Sequence, residues 1–325
     1  MSVVTKDFGF MPESGEKVEK LIITDKDYQA AILTKGAILN AFSYKGRNIV
    51  TSSDKIETYL GRCGHMGEVV GPFANRIANG RFSLDGQVYE LEINNGHNNI
   101  HSGSANFGAK LWKVVNMTDN SVELECEKKD GEGGFPGNVT IRTTYTLKNG
   151  SLTLHYKVTT DKKTVVNITN HAYFNLHGKA VDARDHLVYL DCPYYLEIDE
   201  NQIPSSVKAV EGTDFDFTTP HLLSERRNGN YDHCFIFGKT KRGYVSCDGL
   251  KLSVDTDCEA VQLYTAASYN VKGCSQGDFG PYMALCLETS GYIDSPNQKE
   301  FPSPVLSPKE IYERTTTYTL CEVDR

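Results

Sequence analysis

Long apolar runs, a basic excess, paired cysteines and sustained helical periodicity are all missing from this chain of 325 residues. Each absence removes a class of protein. Nowhere do 18 consecutive apolar residues occur, and the opening MSVVTKDFGFMPESGEK does not place a basic segment before an apolar one. Neither a membrane-spanning helix nor a secretory signal is therefore expected. The formal net charge of -8 argues against a nucleic-acid or anionic-membrane partner, because such partners select basic faces. Nine cysteines, at 63, 126, 192, 234, 247, 258, 274, 286 and 321, form no CxxC pair and lack the density of a disulfide scaffold. Reduced thiols and a cytoplasmic location are the expectation.

What is present is β pattern. Short runs rich in β-branched and aromatic residues are broken by turn residues at spacings of about 8–12. Gly36 and Gly46 mark early turns, and Asp85-Gly86, Asn149-Gly150 and Asp248-Gly249 each sit between alternating runs, as a tight hairpin requires. The one short helix candidate is 53–60, opened by a Ser or Asp cap. Residues 128–137, KKDGEGGFPG, read as a flexible acidic loop. No linker, repeat or low-complexity segment divides the chain. The reading is a single all-β domain, a sandwich or barrel, from residue 17 to 325, after an N-terminal segment of 1–16.

Residues 165–178, VVNITNHAYFNLHG, crowd Asn167, Thr169, Asn170, His171, Tyr173 and Asn175 into nine positions. Period-two alternation puts Thr169, His171, Tyr173 and Asn175 on one face of a strand. An imidazole there is either a general acid or a buried His satisfied by carbonyls. Two earlier stretches, GEVVGPFANRIANGR (67–81) and NNGHNNIHSG (94–103), mix Gly with Asn, Arg and His. His97 and His101 have the spacing of a helical metal pair, but the Asn and Gly around them disfavour a helix. Arg76 and His101 either donate to sugar-like hydroxyls or hold turns. Asp232 closes a turn or binds a ligand. Glu288 follows the apolar run 283–287 and is either a partly desolvated base or a strand-end Glu facing water.

Taken in order, Asn75-Arg76, His101, His171, Asp232, Gln262 and Glu288 carry a family resemblance. From about residue 17 to 320, through GEVVGPFANRIANGRFSLDGQVYEL, NNGHNNIHSG, FGAKLW, VNITNHAYFNLHG, YDHCF, VQLYT and CLETSGYIDSPNQKEFP, the chain resembles the aldose 1-epimerases, or galactose mutarotases. The resemblance implies a large β-supersandwich with an open carbohydrate cleft, no metal or organic cofactor, and a monosaccharide as its small-molecule partner. His171 in TNHxYFNL then falls on the catalytic acid and Glu288 in LET on the catalytic base. Asn75, Arg76, His101, Tyr173, Asp232 and Gln262 fall to substrate binding. Two positions depart from the pattern: Pro72 stands where the family's GRxANRI has its first Arg, and Ile293 where Pro is common.

Such residues support interconversion of the α and β anomers of free aldohexoses, galactose and glucose first, supplying the correct anomer for galactose breakdown. Glu288 takes the C1 hydroxyl proton while His171 gives one to the ring oxygen. Rotation about C1–C2 and reclosure then reverse both transfers, each worth about 10²–10⁴-fold. His171 must be charged when sugar binds, with Glu288 as the anionic neighbour and the two titrations coupled. Phe82, Tyr89, Trp112, Tyr173 and Phe279 are the candidate platforms for the apolar sugar face. The rivals are a hexose 6-phosphate epimerase using Arg226-Arg227, a silent sugar binder, and a glycosidase pairing Asp232 with Glu288. A monomer or weak homodimer is expected.

Overall fold

A computed structural model describes residues 1–61 and 63–323. Its architecture is strands packed on strands. The three hairpin dipeptides fold as their chemistry requires: Asp85, Asn149 and Asp248 take φ of 50°, 50° and 48°, and the glycine after each is also positive. Their flanking strands close in tight register, Leu84 opposite Gln87, Lys148 opposite Ser151 and Cys247 opposite Leu250.

Three antiparallel sheets carry most of the chain. Five strands between Ser2 and Asn48 form the first. The second has nine strands and is built around the long pair Val139–Lys148 and Ser151–Thr160, with Tyr312–Glu322 beside the latter. The third runs, in spatial order, Tyr173–Phe174, Leu285–Ser290, Ala260–Tyr264, Asp232–Ile236, Tyr194–Ile198 and Pro204–Ala209. One apolar core joins them, with Leu21, Ile32 and Phe42 from the first sheet, Tyr145, Leu154, Leu252 and Tyr318 from the second, and Phe235, Val261, Leu263, Leu285 and Leu287 from the third. The fold is the expected all-β supersandwich.

The structure refines four local expectations. The segment 1–16 contributes a full strand, Ser2–Phe10, which pairs with Lys17–Asp25. The helix is shorter than 53–60: it spans Ile56–Leu60 from an N-cap at Lys55 that has no side-chain bond. Ser53 is spent one step earlier, where its Oγ accepts from the Lys55 N–H and the Thr58 hydroxyl. The loop at 128–137 is pinned rather than loose, because the fully buried Lys128 ammonium donates to the carbonyls of Lys129 and Phe135. Lastly, the run around His171 is not one strand. Thr169–Asn170 pairs with Val69–Val70, Tyr173–Phe174 joins the third sheet, and His171 lies at the break.

Candidate active site

The site sits on the face of the third sheet that turns away from the main core. Period two sends Phe235, Val261, Leu263, Leu285 and Leu287 into that core, so Asp232, Gln262, Tyr264, Cys286 and Glu288 face the other way. Register sets them side by side: Tyr173 opposite Cys286, Cys286 opposite Tyr264 and Tyr264 opposite Asp232 in one row, with Glu288 opposite Gln262 in the next. Loops from the first third of the chain complete a cavity of about 480 Å³. It is lined by His65, Asn75, Arg76, His101, His171, Tyr173, Asp232, Tyr264 and Glu288, together with Asn95 and Gln202.

His171 is held by its backbone, whose N–H donates to the Glu68 carbonyl while its carbonyl accepts from Gly67. Its Nε2 lies 3.7 Å from Glu288 Oε1, and its Nδ1 lies 3.6 Å from the Cys286 thiol. Glu288 is mid-strand in Leu285–Ser290 and only 4% exposed, so the strand-end alternative fails. Burial pushes the His171 imidazole down to about 3, with His65 adding to the effect. Burial, and then the Asp232 charge, hold the Glu288 carboxyl well above the usual range. Both shifts favour the neutral form of each group, an uncharged imidazole beside a protonated carboxyl.

Asn75 and His101 lock each other. The Asn75 N–H donates to His101 Nδ1 at 3.1 Å, and the His101 N–H donates to the Asn75 carbonyl. With Nδ1 accepting, the neutral ring carries its proton on Nε2. Burial keeps it neutral, with help from His65 and His171. Arg76 is fixed from three sides by Asn75 Oδ1, Asn95 Oδ1 and Gln202 Oε1. Asp232 is clasped by Gln262 Nε2 at 2.6 Å and Gln202 Nε2 at 2.8 Å. Gln262 Oε1 is buried with no hydrogen-bond partner among the described residues, and Gln262 does not line the cavity, so it bears on the site through its hold on Asp232.

Tyr173 lines the cleft, but its hydroxyl is already engaged, donating to the Gly64 carbonyl at 2.9 Å. Its ring stacks between His171 and Tyr269. Gly64 has φ of +63°, and a Cβ there would meet the Tyr173 hydroxyl at 2.9 Å, so only glycine fits. Of the five candidate platforms, Tyr173 alone reaches the cavity. Phe82 and Tyr89 stack on each other in a separate cluster, Trp112 belongs to the main core, and Phe279 packs near Tyr269. His97 is exposed and is absent from the possible metal groups among the described residues.

Sequence reasoning missed several cleft residues, Tyr264, His65 and Gln202 foremost. Tyr264 was available to it, since it lies two positions after Gln262 in Ala260–Tyr264 and must share its face. His65 precedes the first polar stretch. Its ring centroid is 4.9 Å from that of His101 and 6.0 Å from that of His171, and its Nδ1 meets Glu68 Oε2 at 2.9 Å. Glu68 is in turn ion-paired to the buried Lys35. Burial alone would raise the Glu68 carboxyl; Lys35, then His65, hold it at about 2. Gln202 carries no sequence signal, because only the fold brings it to Arg76 and Asp232. A second concavity of about 520 Å³ near Tyr292 and Tyr312 has no comparable acid–base cluster, and its Arg314 is paired with Glu259.

A cleft with a buried carboxyl, a buried imidazole and converging donors suits proton transfer on a polyhydroxy ligand. Comparison with known proteins agrees. The family model described as aldose 1-epimerase matches residues 19–319. The chain is 36% identical to a galactose mutarotase from Rattus norvegicus, covering 98% of both chains. It is 33% identical to an aldose 1-epimerase from Escherichia coli K12, covering 92% of this chain and 91% of that one. A solved aldose epimerase homologue from C. elegans superposes with a TM-score of 0.89 at 26% identity, covering 94% of this chain and 99% of that one. Shared along nearly its whole length with these relatives, the chain belongs to the aldose 1-epimerase family.

Proposed function

We propose that the protein interconverts the α and β anomers of free aldohexoses, galactose and glucose among them, with His171 and Glu288 as the acid–base pair. The observation that carries this reading is the adjacency, at 3.7 Å, of a buried imidazole and a buried carboxyl on one wall of the cleft. A sugar entering the cleft brings hydroxyl donors to Glu288 and a ring oxygen to His171. Those donors favour the carboxylate and so move the shared proton to the imidazole. Glu288 then takes the C1 hydroxyl proton as His171 protonates the ring oxygen. The C1–O5 bond breaks to give the open aldehyde, and closure after rotation runs the transfers in reverse.

Around that pair, Arg76 and His101 Nε2 are fixed donors for ring oxygen or hydroxyls, and Asn75 orients a further hydroxyl. The Asp232 carboxylate is the acceptor, held in place by Gln262. Tyr173 acts chiefly by packing His171, and Tyr264 offers the ring face that the sugar meets. This machinery fits a small neutral monosaccharide; the only Arg or Lys side chain among the described lining residues is Arg76. Arg226 donates to the carbonyls of Thr213 and Asp216, and Arg227 lies over Phe215, so neither favours a 6-phosphate. Among the described residues no helix is long and apolar enough to cross a membrane, and all nine cysteines are unpaired, in keeping with a cytoplasmic site of action.

Polarimetry of freshly dissolved α-D-galactose and α-D-glucose tests the proposal. Wild-type protein should accelerate mutarotation, and Glu288→Gln and His171→Ala should each remove most of that acceleration. Tight sugar binding without acceleration would replace the enzyme by a binder.

A further inference from the structure

Away from the cleft, four side chains with metal-ligating atoms converge: His177, Asp185, His186 and Cys247, their atoms all within 4.8 Å of one another. His177, Asp185 and His186 belong to the chain that leaves the third sheet after Tyr173–Phe174. Cys247 ends the strand Arg242–Cys247, just before the Asp248-Gly249 turn. His177 Nε2 is 2.9 Å from Asp185 Oδ2 and 3.3 Å from Cys247 Sγ.

His186 plays a different part from the other three. The Leu176 N–H donates to its Nε2 at 2.9 Å, so the neutral ring carries its proton on Nδ1. That nitrogen lies 3.1 Å from Asp185 Oδ1. A protonated Nδ1 cannot ligate, but it can fix the carboxylate from behind, the usual support of a metal-binding group. Three ligand types remain, an imidazole nitrogen, a carboxylate oxygen and a sulfur. Metal bonds of ~2.0–2.3 Å at tetrahedral angles separate ligand atoms by ~3.3–3.6 Å, so the two pairs made by His177 Nε2, at 2.9 Å from Asp185 Oδ2 and 3.3 Å from Cys247 Sγ, lie within a few tenths of an ångström of that spacing. The Asp185 side chain is 56% exposed while that of His186 is fully buried. The cluster is therefore closed toward the protein and open toward solvent, where water supplies a fourth ligand.

We propose that His177, Asp185 and Cys247 form a site for one divalent transition-metal ion of the zinc type, with His186 orienting Asp185. The mixed nitrogen, sulfur and oxygen set selects zinc or cobalt over magnesium or calcium, which prefer oxygen alone. Binding replaces the Cys247 S–H bond by a sulfur–metal bond and releases the proton to solvent, so affinity rises with pH.

The test titrates metal-stripped, full-length protein with Co²⁺ and then Zn²⁺. One equivalent of Co²⁺ should give a thiolate-to-cobalt charge-transfer band with the strong visible absorption of four-coordinate cobalt, and Zn²⁺ should displace it. Cys247→Ser should abolish the charge-transfer band. His177→Asn should weaken binding by more than about 100-fold, since losing a ligand exceeds the 10–100-fold effect of losing its supporting partner. Both variants should keep the sugar activity, because neither residue lines the cleft. If Cys247→Ser does not fold, alkylation of the wild type replaces it: Zn²⁺ should slow modification of Cys247 and leave that of Cys274 and Cys321 unchanged. Absence of the band, its survival in Cys247→Ser, or equal alkylation of Cys247 with and without Zn²⁺ overturns the proposal.

Discussion

His171 Nε2 stands 3.7 Å from Glu288 Oε1, with both side chains buried. The gap is too long for a hydrogen bond and short enough that neither group titrates independently of the other.

The pH profile follows from that pair. The active state carries one proton shared between the two groups. A second proton requires His171 to ionise, which burial delays until about pH 3. Loss of the shared proton is delayed upward by the raised Glu288. kcat/KM for mutarotation should therefore show no inflection at the ordinary histidine value of 6.5 and should fall on the acid side only toward about pH 3, after correction for the spontaneous reaction. A steep rise or fall centred near the ordinary histidine value of 6.5 would mean that His171 titrates alone.

Glu288→Gln should separate stability from activity. A carboxyl raised on folding stabilises the native state fully only below its unfolded pKa, near 4.5, and that contribution is lost as pH climbs toward the folded value. The amide has no such dependence. The variant should be nearly inactive yet gain on the wild type in urea unfolding as pH rises from about 5 to 8, by at most about 1.4 kcal/mol per pH unit. A pH-independent difference would contradict the assigned burial cost.

Lys35→Met should damage the protein more than any exposed lysine change. It leaves the Glu68 carboxylate buried without its cation, at a cost of about 3–5 kcal/mol, and it loosens the support of His65. Glu68 is depressed on folding, so its contribution is present above its unfolded value of 4.5 and is lost as pH falls toward about 2. The wild-type advantage over Glu68→Gln in thermal unfolding should shrink across that window. Separately, His65→Ala should raise KM roughly fivefold, the effect of one hydrogen bond of about 1 kcal/mol, with a smaller change in kcat.

Gln202→Leu should act on binding. It removes the group that joins Arg76 to Asp232, loosening two proposed sugar contacts that Asn75, Asn95 and Gln262 then hold alone. Loss of two such bonds predicts a KM higher by about tenfold or more with kcat changed much less. An equal fall in kcat and kcat/KM would place Gln202 in the transition state instead.

The β class, the three tight hairpins and the cleft membership of His171, Glu288, Asn75, Arg76, His101 and Asp232 were legible in the residues alone, whereas Gln262 proved to stand outside the lining and to hold Asp232. Turn dipeptides and period-two alternation are local properties, and the family motifs are contiguous enough to read directly. Tertiary structure alone decided what depends on residues distant in sequence. Gln202 meets Asp232 across the sheet, Lys35 meets Glu68 inside the protein, and Tyr173 spends its hydroxyl on Gly64. It also decided which way the two cleft groups are pushed, His171 down and Glu288 up. Such shifts follow desolvation and neighbouring charge, and neither exists until the chain has closed around His171 and Glu288.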